Sequence, residues 1–268
     1  MVSEERRYSR SLSQLKLYSR CGELYKLERI LGKEMPRRPA AWTIMGIAVH
    51  EAVMDWEKSG REGALPELFL LIYDEVAKKE WERQPDPDYW ILPPRTKTVT
   101  TSIANYRERG YKQMVEYEEY CLEAPWEISH IEQEFEIELG DITVKGAIDR
   151  ILHWEAEDSY TLEDLKSGAV EGNEEDTRQL AFYAFVAREQ FNVPVTEGRY
   201  WFTKLSRGSE FVNLEKYDRK FWEEEFRKLD YGIQGGVFLS SPGKQCGICS
   251  VRPWCSTQGW LEVGEPLR

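Results

Sequence analysis

Apolar residues recur along this chain with two different periods, and the switch between them divides it. From Ser11 to Ile30, Leu15, Tyr18, Leu24 and Leu27 fall at helical spacing behind Ser11 and Ser13, residue types that cap helix starts. The stretch predicts a helix or a broken pair of helices, with Cys21-Gly22 inside it. After Pro36 and Pro39, the segment Ala41 to Lys58 predicts another helix, in which Ile44, Ile47, Val49, His50, Val53, Met54 and Trp56 crowd one side. Two more helices are predicted at Leu65 to Arg83 and Val99 to Cys121, separated by the proline-rich stretch Pro85 to Pro94. Residues 60–125 therefore read as a helical insertion.

From Ile128 the period becomes two. Ile131, Gln133, Phe135, Ile137 and Leu139 share one face, Gly140-Asp141 supplies a tight turn, and Ile142 to Trp154 returns as a second strand. A third strand, Tyr160 to Ser167, follows a short acidic turn. A helix over Glu174 to Gln190 comes next, then strands at Thr196 to Lys204 and Phe211 to Leu214, a helix over Asp218 to Ile233, and a cysteine-rich tail over 240–268. This order predicts an α/β fold, a mixed central sheet flanked by helices, in one domain over 1–268 that carries the helical insertion.

Composition narrows the picture. With 41% hydrophobic residues, ten tryptophans and fourteen tyrosines, the chain can bury a sizeable interior. Met1 to Leu17 lacks the apolar segment of a secretory signal, and the apolar run Ala181 to Ala187 is far too short for a span, so a soluble cytoplasmic protein without a membrane span is expected. In that compartment five cysteines point to metal binding or free thiols rather than disulfides. The net charge of −12 argues against a nucleic-acid ligand, but residues 1–40 carry ten Lys/Arg against five Asp/Glu, a local balance of +5. That basic stretch reads equally as a phosphate contact or as a solvated face.

The main anomaly is charge at strand centres. Gly146-Ala147-Ile148-Asp149-Arg150 lies on one strand and Glu163-Asp164-Leu165-Lys166-Ser167-Gly168 on the next. Alternation puts Asp164 and Lys166 on one face with Leu165 opposite, and a four-residue turn at Glu155 to Asp158 would set Asp149 across from Asp164. Two opposed carboxylates repel unless a divalent cation lies between them, and oxygen ligands suit Mg²⁺ or Mn²⁺. Such an ion can bind a scissile phosphate and activate water that Lys166 orients or deprotonates. Glu163 could replace Asp164 only if its strand were bulged or slipped. The competing explanation is a surface salt-bridge cluster.

With these residues in hand, the chain resembles the RecB-like or AddB-like nucleases of the PD-(D/E)XK superfamily, whose core is restriction-endonuclease-like. The resemblance rests on Ser11-Leu12-Ser13 leading to Cys21, Gly46-x-x-x-His50, Gly146-x-x-Asp149, Asp164-x-Lys166-Ser167-Gly168 and Gln179-x-x-x-Tyr183, in the family's order over almost the entire chain. The Pro-Asp that names the superfamily is Ile148-Asp149 here, as is common in this branch. The resemblance implies His50, Asp149, Asp164 and the Leu165 main-chain carbonyl as Mg²⁺ or Mn²⁺ ligands and Lys166 as the catalytic lysine. It also implies that Gln179 and Tyr183 contact DNA or support Lys166; ordinary helix packing is the alternative for that pair.

Cys246-Gly247-Ile248-Cys249 followed by Cys255 is a compact triad that needs a fourth thiolate, for which Cys21 is the candidate. A subset of the resembled family, including AddB-type and CRISPR-adaptation nucleases, closes its fold with this arrangement around a [4Fe-4S] cluster. The resemblance implies the same clamp here, tying the tail to the N-terminal helix; four thiolates also suit structural zinc. Cys121 falls outside the pattern and reads as a buried hydrophobe.

The expected activity is that of a DNA exonuclease or end-processing nuclease acting on single strands or ends in recombination, repair, phage or CRISPR DNA metabolism. No Gly-x-x-x-x-Gly-Lys-Ser/Thr pattern occurs, so unwinding requires a partner such as a helicase or recombination protein. Trp42, Trp56 and Tyr106 could stack on bases, with core packing as the alternative for each. A non-catalytic DNA-binding or assembly subunit that keeps the fold is the rival function.

Overall fold

The computed structural model describes residues 9–32, 36–168 and 177–257. Its elements are β1 (Ser9–Arg10), α1 (Leu12–Arg20), α2 (Gly22–Tyr25), a π-helical turn (Lys26–Ile30), α3 (Ala41–Lys58), α4 (Leu65–Arg83) and α5 (Val99–Glu123). These are followed by β2 (Glu127–Leu139), β3 (Ile142–Trp154), β4 (Ser159–Lys166), α6 (Arg178–Phe191), β5 (Glu197–Phe202), β6 (Arg207–Gly208), β7 (Val212–Asn213) and α7 (Arg219–Gln234). The N-terminal helical stretch is a broken pair, interrupted at Cys21, whose backbone is extended. The first three residues predicted for α6, Glu174 to Asp176, lie outside the described residues.

The sheet runs β1-β3-β4-β5-β6, with β2 also paired to β3 and β7 to β5. It is mixed: β1 pairs parallel with β3 and β4 parallel with β5, whereas β3–β4 and β5–β6 are antiparallel. The short strand β1 was not legible in the hydrophobic pattern because two residues cannot show a period. Glu132 also departs from expectation. Its φ of +42° interrupts the pleat of β2, and the alternation of buried and exposed positions is clean only from Phe135 through Ile137 and Leu139.

The chain forms two compact units. One comprises Met1–Arg38, Glu136–Gly146 and Arg219–Arg268; the other comprises Pro39–Phe135 and Ala147–Asp218. In the second unit, Ile44, Ala48, Val49, Ala52, Val53 and Trp56 of α3 pack with Leu65, Phe69 and Tyr73 of α4 and Met114, Tyr117 and Cys121 of α5. Leu152, Leu165 and Trp201 of the sheet join the same cluster. The segment read as an insertion therefore builds the core on one sheet face. Gly110 allows this closeness, since a Cβ there would stand 2.1 Å from the Phe69 ring. Cys121 and Trp56 are core residues, whereas Trp42 is only partly buried.

Candidate active site

Strand pairing brings the two aspartates together. β3 and β4 pair from Arg150 opposite Glu163 to Trp154 opposite Ser159, around the four-residue turn Glu155 to Asp158. Continued by one residue, this register sets Asp149 opposite Asp164. Asp164 is fully buried. Burial strips a carboxylate of water, and a positive charge and a hydrogen-bond donor take the water's place here. The Lys166 ammonium ion-pairs with Asp164 Oδ2, and Gln179 Nε2 donates to Asp164 Oδ1 at 2.7 Å. Lys166 Nζ also lies 3.5 Å from Gln179 Oε1 and 5.2 Å from the centre of the Tyr200 ring. Gln179 thus touches both members of the Asp-x-Lys pair.

His50 arrives from α3, with Nε2 3.5 Å from Asp149 Oδ1. The hydrogen bond to Asp149 holds its imidazole above the usual histidine range; burial opposes this, and the charges of Asp149, Glu132 and Asp164 add to it. Gly46 sits one turn before His50, where a Cβ would come within 3.2 Å of Ser167 Oγ, so the glycine lets α3 pass close to the residue that follows Lys166. Tyr183, one turn beyond Gln179, packs edge-on against Phe135 at 6.1 Å. Burial raises its hydroxyl well above the ordinary range, with Asp149 and Asp164 adding to the shift. All six polar residues singled out in the sequence therefore gather in one unit, and the Leu165 side chain turns to the opposite face. Among the described residues, no group of three or more His, Cys, Asp or Glu side chains is close enough, as it stands, to grip a metal ion.

The condition under which Glu163 could replace Asp164, a bulged or slipped strand, is not met. β4 keeps an unbroken register with both neighbours, so Glu163 points away from the site, into a buried ionic network that the sequence reading missed. It ion-pairs with Arg150 directly across β3 and with Arg199 Nε at 2.7 Å across β5. Arg150 Nη1 reaches Glu57 Oε1 of α3 at 3.4 Å, and Arg61 Nε holds the other Glu57 oxygen at 2.9 Å. Arg150 and Glu163 are fully buried, with the Arg150 guanidinium 5.4 Å from the Tyr117 ring centre and 5.5 Å from that of Trp126. The network joins α3, β3 and β4, the three elements that carry His50, Asp149 and Asp164. The available signal was the pairing of Arg150 with Glu163, which the turn that opposes the aspartates also dictates.

In the other unit, Cys21, Cys246, Cys249 and Cys255 line one small cavity together with Leu24 and Val251. Backbone N–H groups of Ser241 and Gly243 donate to Cys21 Sγ and Cys246 Sγ, each at 3.4 Å, and Cys255 Sγ is 3.0 Å from Thr257 Oγ1. Burial raises the Cys249 thiol, partly offset by a backbone hydrogen bond at Val251. Gly22 permits the approach of the tail, since a Cβ there would stand 2.8 Å from the Leu239 nitrogen. Arg10, part of the basic N-terminal excess, is buried and ion-paired with Asp230, so its charge is committed inside the protein.

Comparison with known proteins agrees with this architecture. The chain is 30% identical to Gene 69 protein of Mycobacterium phage D29, with 92% of this chain and 96% of the relative aligned. It is 28% identical to Gene 69 protein of Mycobacterium phage L5, with 92% and 95% aligned. Among the described residues, no helix is long and apolar enough to cross a membrane. Residues 9–256 match the PD-(D/E)XK nuclease superfamily, so the opposed aspartates, the lysine two residues along β4 and the mixed sheet that carries them belong to a member of that superfamily.

Proposed function

We propose that this chain is a metal-dependent deoxyribonuclease of the RecB-like branch, trimming single strands or DNA ends as an exonuclease or end-processing enzyme. The observation that carries this reading is the strand register that, continued by one residue, opposes Asp149 to Asp164, with Lys166 reaching Asp164 and His50 reaching Asp149. The donor set suits a hard divalent ion: two carboxylates, the Leu165 main-chain carbonyl and one imidazole would hold Mg²⁺ or Mn²⁺. The bound ion would supply a charge clamp for the scissile phosphate and for the bond that breaks.

The chain's own residues do the rest. Lys166, anchored by Asp164 and Gln179, orients the attacking water and stabilises the charge that develops as the oxygen approaches phosphorus. Gln179 keeps the ammonium and the buried carboxylate in register, and Tyr183 closes the site beside it. The origin of the relatives in mycobacteriophages supports a role in phage DNA metabolism, in recombination or repair, with unwinding left to a helicase partner.

The four cysteines belong to the same reading. Thiols around one cavity, with N–H donors aimed at two of them, suit thiolates holding a [4Fe-4S] cluster that clamps the tail to the first helices; structural zinc is the competing occupant. Iron and acid-labile sulfide in anaerobically purified protein, both lost in Cys21→Ala, support the cluster, whereas stoichiometric zinc replaces it.

The decisive assay follows end-labelled single-stranded and duplex DNA with Mg²⁺, Mn²⁺ or EDTA. Cutting that requires the ion and disappears in Lys166→Ala is the expected result. Undiminished cutting by that variant removes Lys166 from the mechanism, and no cutting under any condition moves the chain to a non-catalytic DNA-binding subunit.

A further inference from the structure

α3 carries more than His50 on its outer side. Trp42, Gly46 and His50 are spaced four apart, so they form one ridge along the helix, and Trp42 stands about 12 Å from His50 along the axis. Trp42 differs from Trp56, which the core swallows: its indole is partly exposed and lies 6.3 Å from the Tyr106 ring of α5, the planes inclined at 58°. The Arg109 guanidinium sits 4.7 Å from the centre of the Tyr106 ring.

Arg109 is also electrostatically distinct from its neighbours. On the same helix Arg107 is paired with Asp74 at 2.7 Å and Lys112 with Glu108 at 2.6 Å. Arg109 is exposed and has no carboxylate partner among the described residues. Two partly exposed aromatic rings, Trp42 on the ridge that leads to His50 and Tyr106 beside it on α5, and a guanidinium with no carboxylate partner among the described residues provide the two elements by which unpaired nucleotides are held: π-faces for bases and a cation for the backbone.

Building on the nuclease reading, we propose that Trp42, Tyr106 and Arg109 form a nucleobase platform. It holds single-stranded nucleic acid a few nucleotides from the scissile phosphate, with a base on the rings and a phosphate on Arg109. Paired bases keep their faces inside the duplex stack, so the platform selects single strands and frayed ends. It thereby assigns strand preference to residues outside the metal site.

The test is equilibrium binding in EDTA, which requires no catalysis and separates the outcomes even if the chain cuts nothing. Full-length protein with its cysteine site loaded is titrated against fluorescent single-stranded and duplex oligonucleotides and against single strands with one abasic position. Trp42→Ala is expected to weaken single-strand binding roughly 5- to 150-fold and leave duplex binding unchanged. An abasic site scanned along the strand should reproduce that loss at one position and add nothing in the variant. Arg109→Gln should reduce the dependence of log K on log salt by about one phosphate's worth. Trp42→Tyr, which keeps an aromatic face, should restore most of the binding and exclude a folding defect. Equal losses on single strands and duplex, or none, would overturn the proposal.

Discussion

Arg150 and Glu163 face each other across β3 and β4, each one residue from an aspartate of the candidate site, and their fully buried charges meet on the sheet face opposite that site. Removing one member leaves the other charged and uncompensated. Glu163→Gln should therefore destabilise the fold by about 3–5 kcal/mol. Urea denaturation of wild type and variant measures this; a change below about 1 kcal/mol would show that Arg199 and Glu57 hold the arrangement without Glu163.

His50 gives the candidate site a pH dependence. Its raised pKa means that the charged imidazole is bound to Asp149 in the fold, so its contribution to stability is complete below the ordinary value of 6.5 and disappears as pH rises through the higher folded value. A cation competes with that proton, so affinity for Mn²⁺ should increase over the same window. Calorimetric titration at several pH values checks this against His50→Gln, in which the pH dependence should flatten. An unchanged profile in the variant would place the titration elsewhere.

Cys121 should be chemically silent in the folded protein. Burial pushes its thiol up to about 12, and it lies in the core that α3, α4, α5 and the sheet build together. Iodoacetamide at mildly alkaline pH should leave Cys121 unmodified in native protein and alkylate it after unfolding, as mass spectrometry of the peptide would show. Native modification would mean that the core opens locally.

Gly110 should not tolerate a side chain. A methyl group there would strike the Phe69 ring, and Gly110→Ala should cost about 1–3 kcal/mol from overpacking. Adding Phe69→Leu should recover much of the loss, a coupling that a double-mutant cycle in thermal denaturation would reveal.

Much of this arrangement was legible in the sequence because it follows from alternation and turn length. Asp164 and Lys166 share a face because they are two apart; the opposition of Asp149 to Asp164 depended on a four-residue turn, and the strand register from Arg150–Glu163 to Trp154–Ser159, continued by one residue, supplies it. The same arithmetic pairs Arg150 with Glu163. That pair was missed because Glu163, although it falls on the face opposite Asp164, was not matched with a partner across the turn, and the back of the sheet buries the two charges in mutual contact. The interruption at Glu132 was hidden for a different reason: a single left-handed residue leaves no trace in a hydrophobic pattern. The role of the segment 60–125 as core could not be read from helix amphipathicity, which shows that a face is buried but not against what.

The Glu155 to Asp158 turn has a bearing on how this lineage can change. A residue lost or gained within β3 or β4 would exchange the two faces of the sheet, sending Asp164 toward the arginines and Glu163 toward the candidate site. Extra residues in the turn itself would leave every strand partner where it is. Insertions and deletions among relatives should therefore collect in those four positions, while the strands on either side diverge by substitution alone.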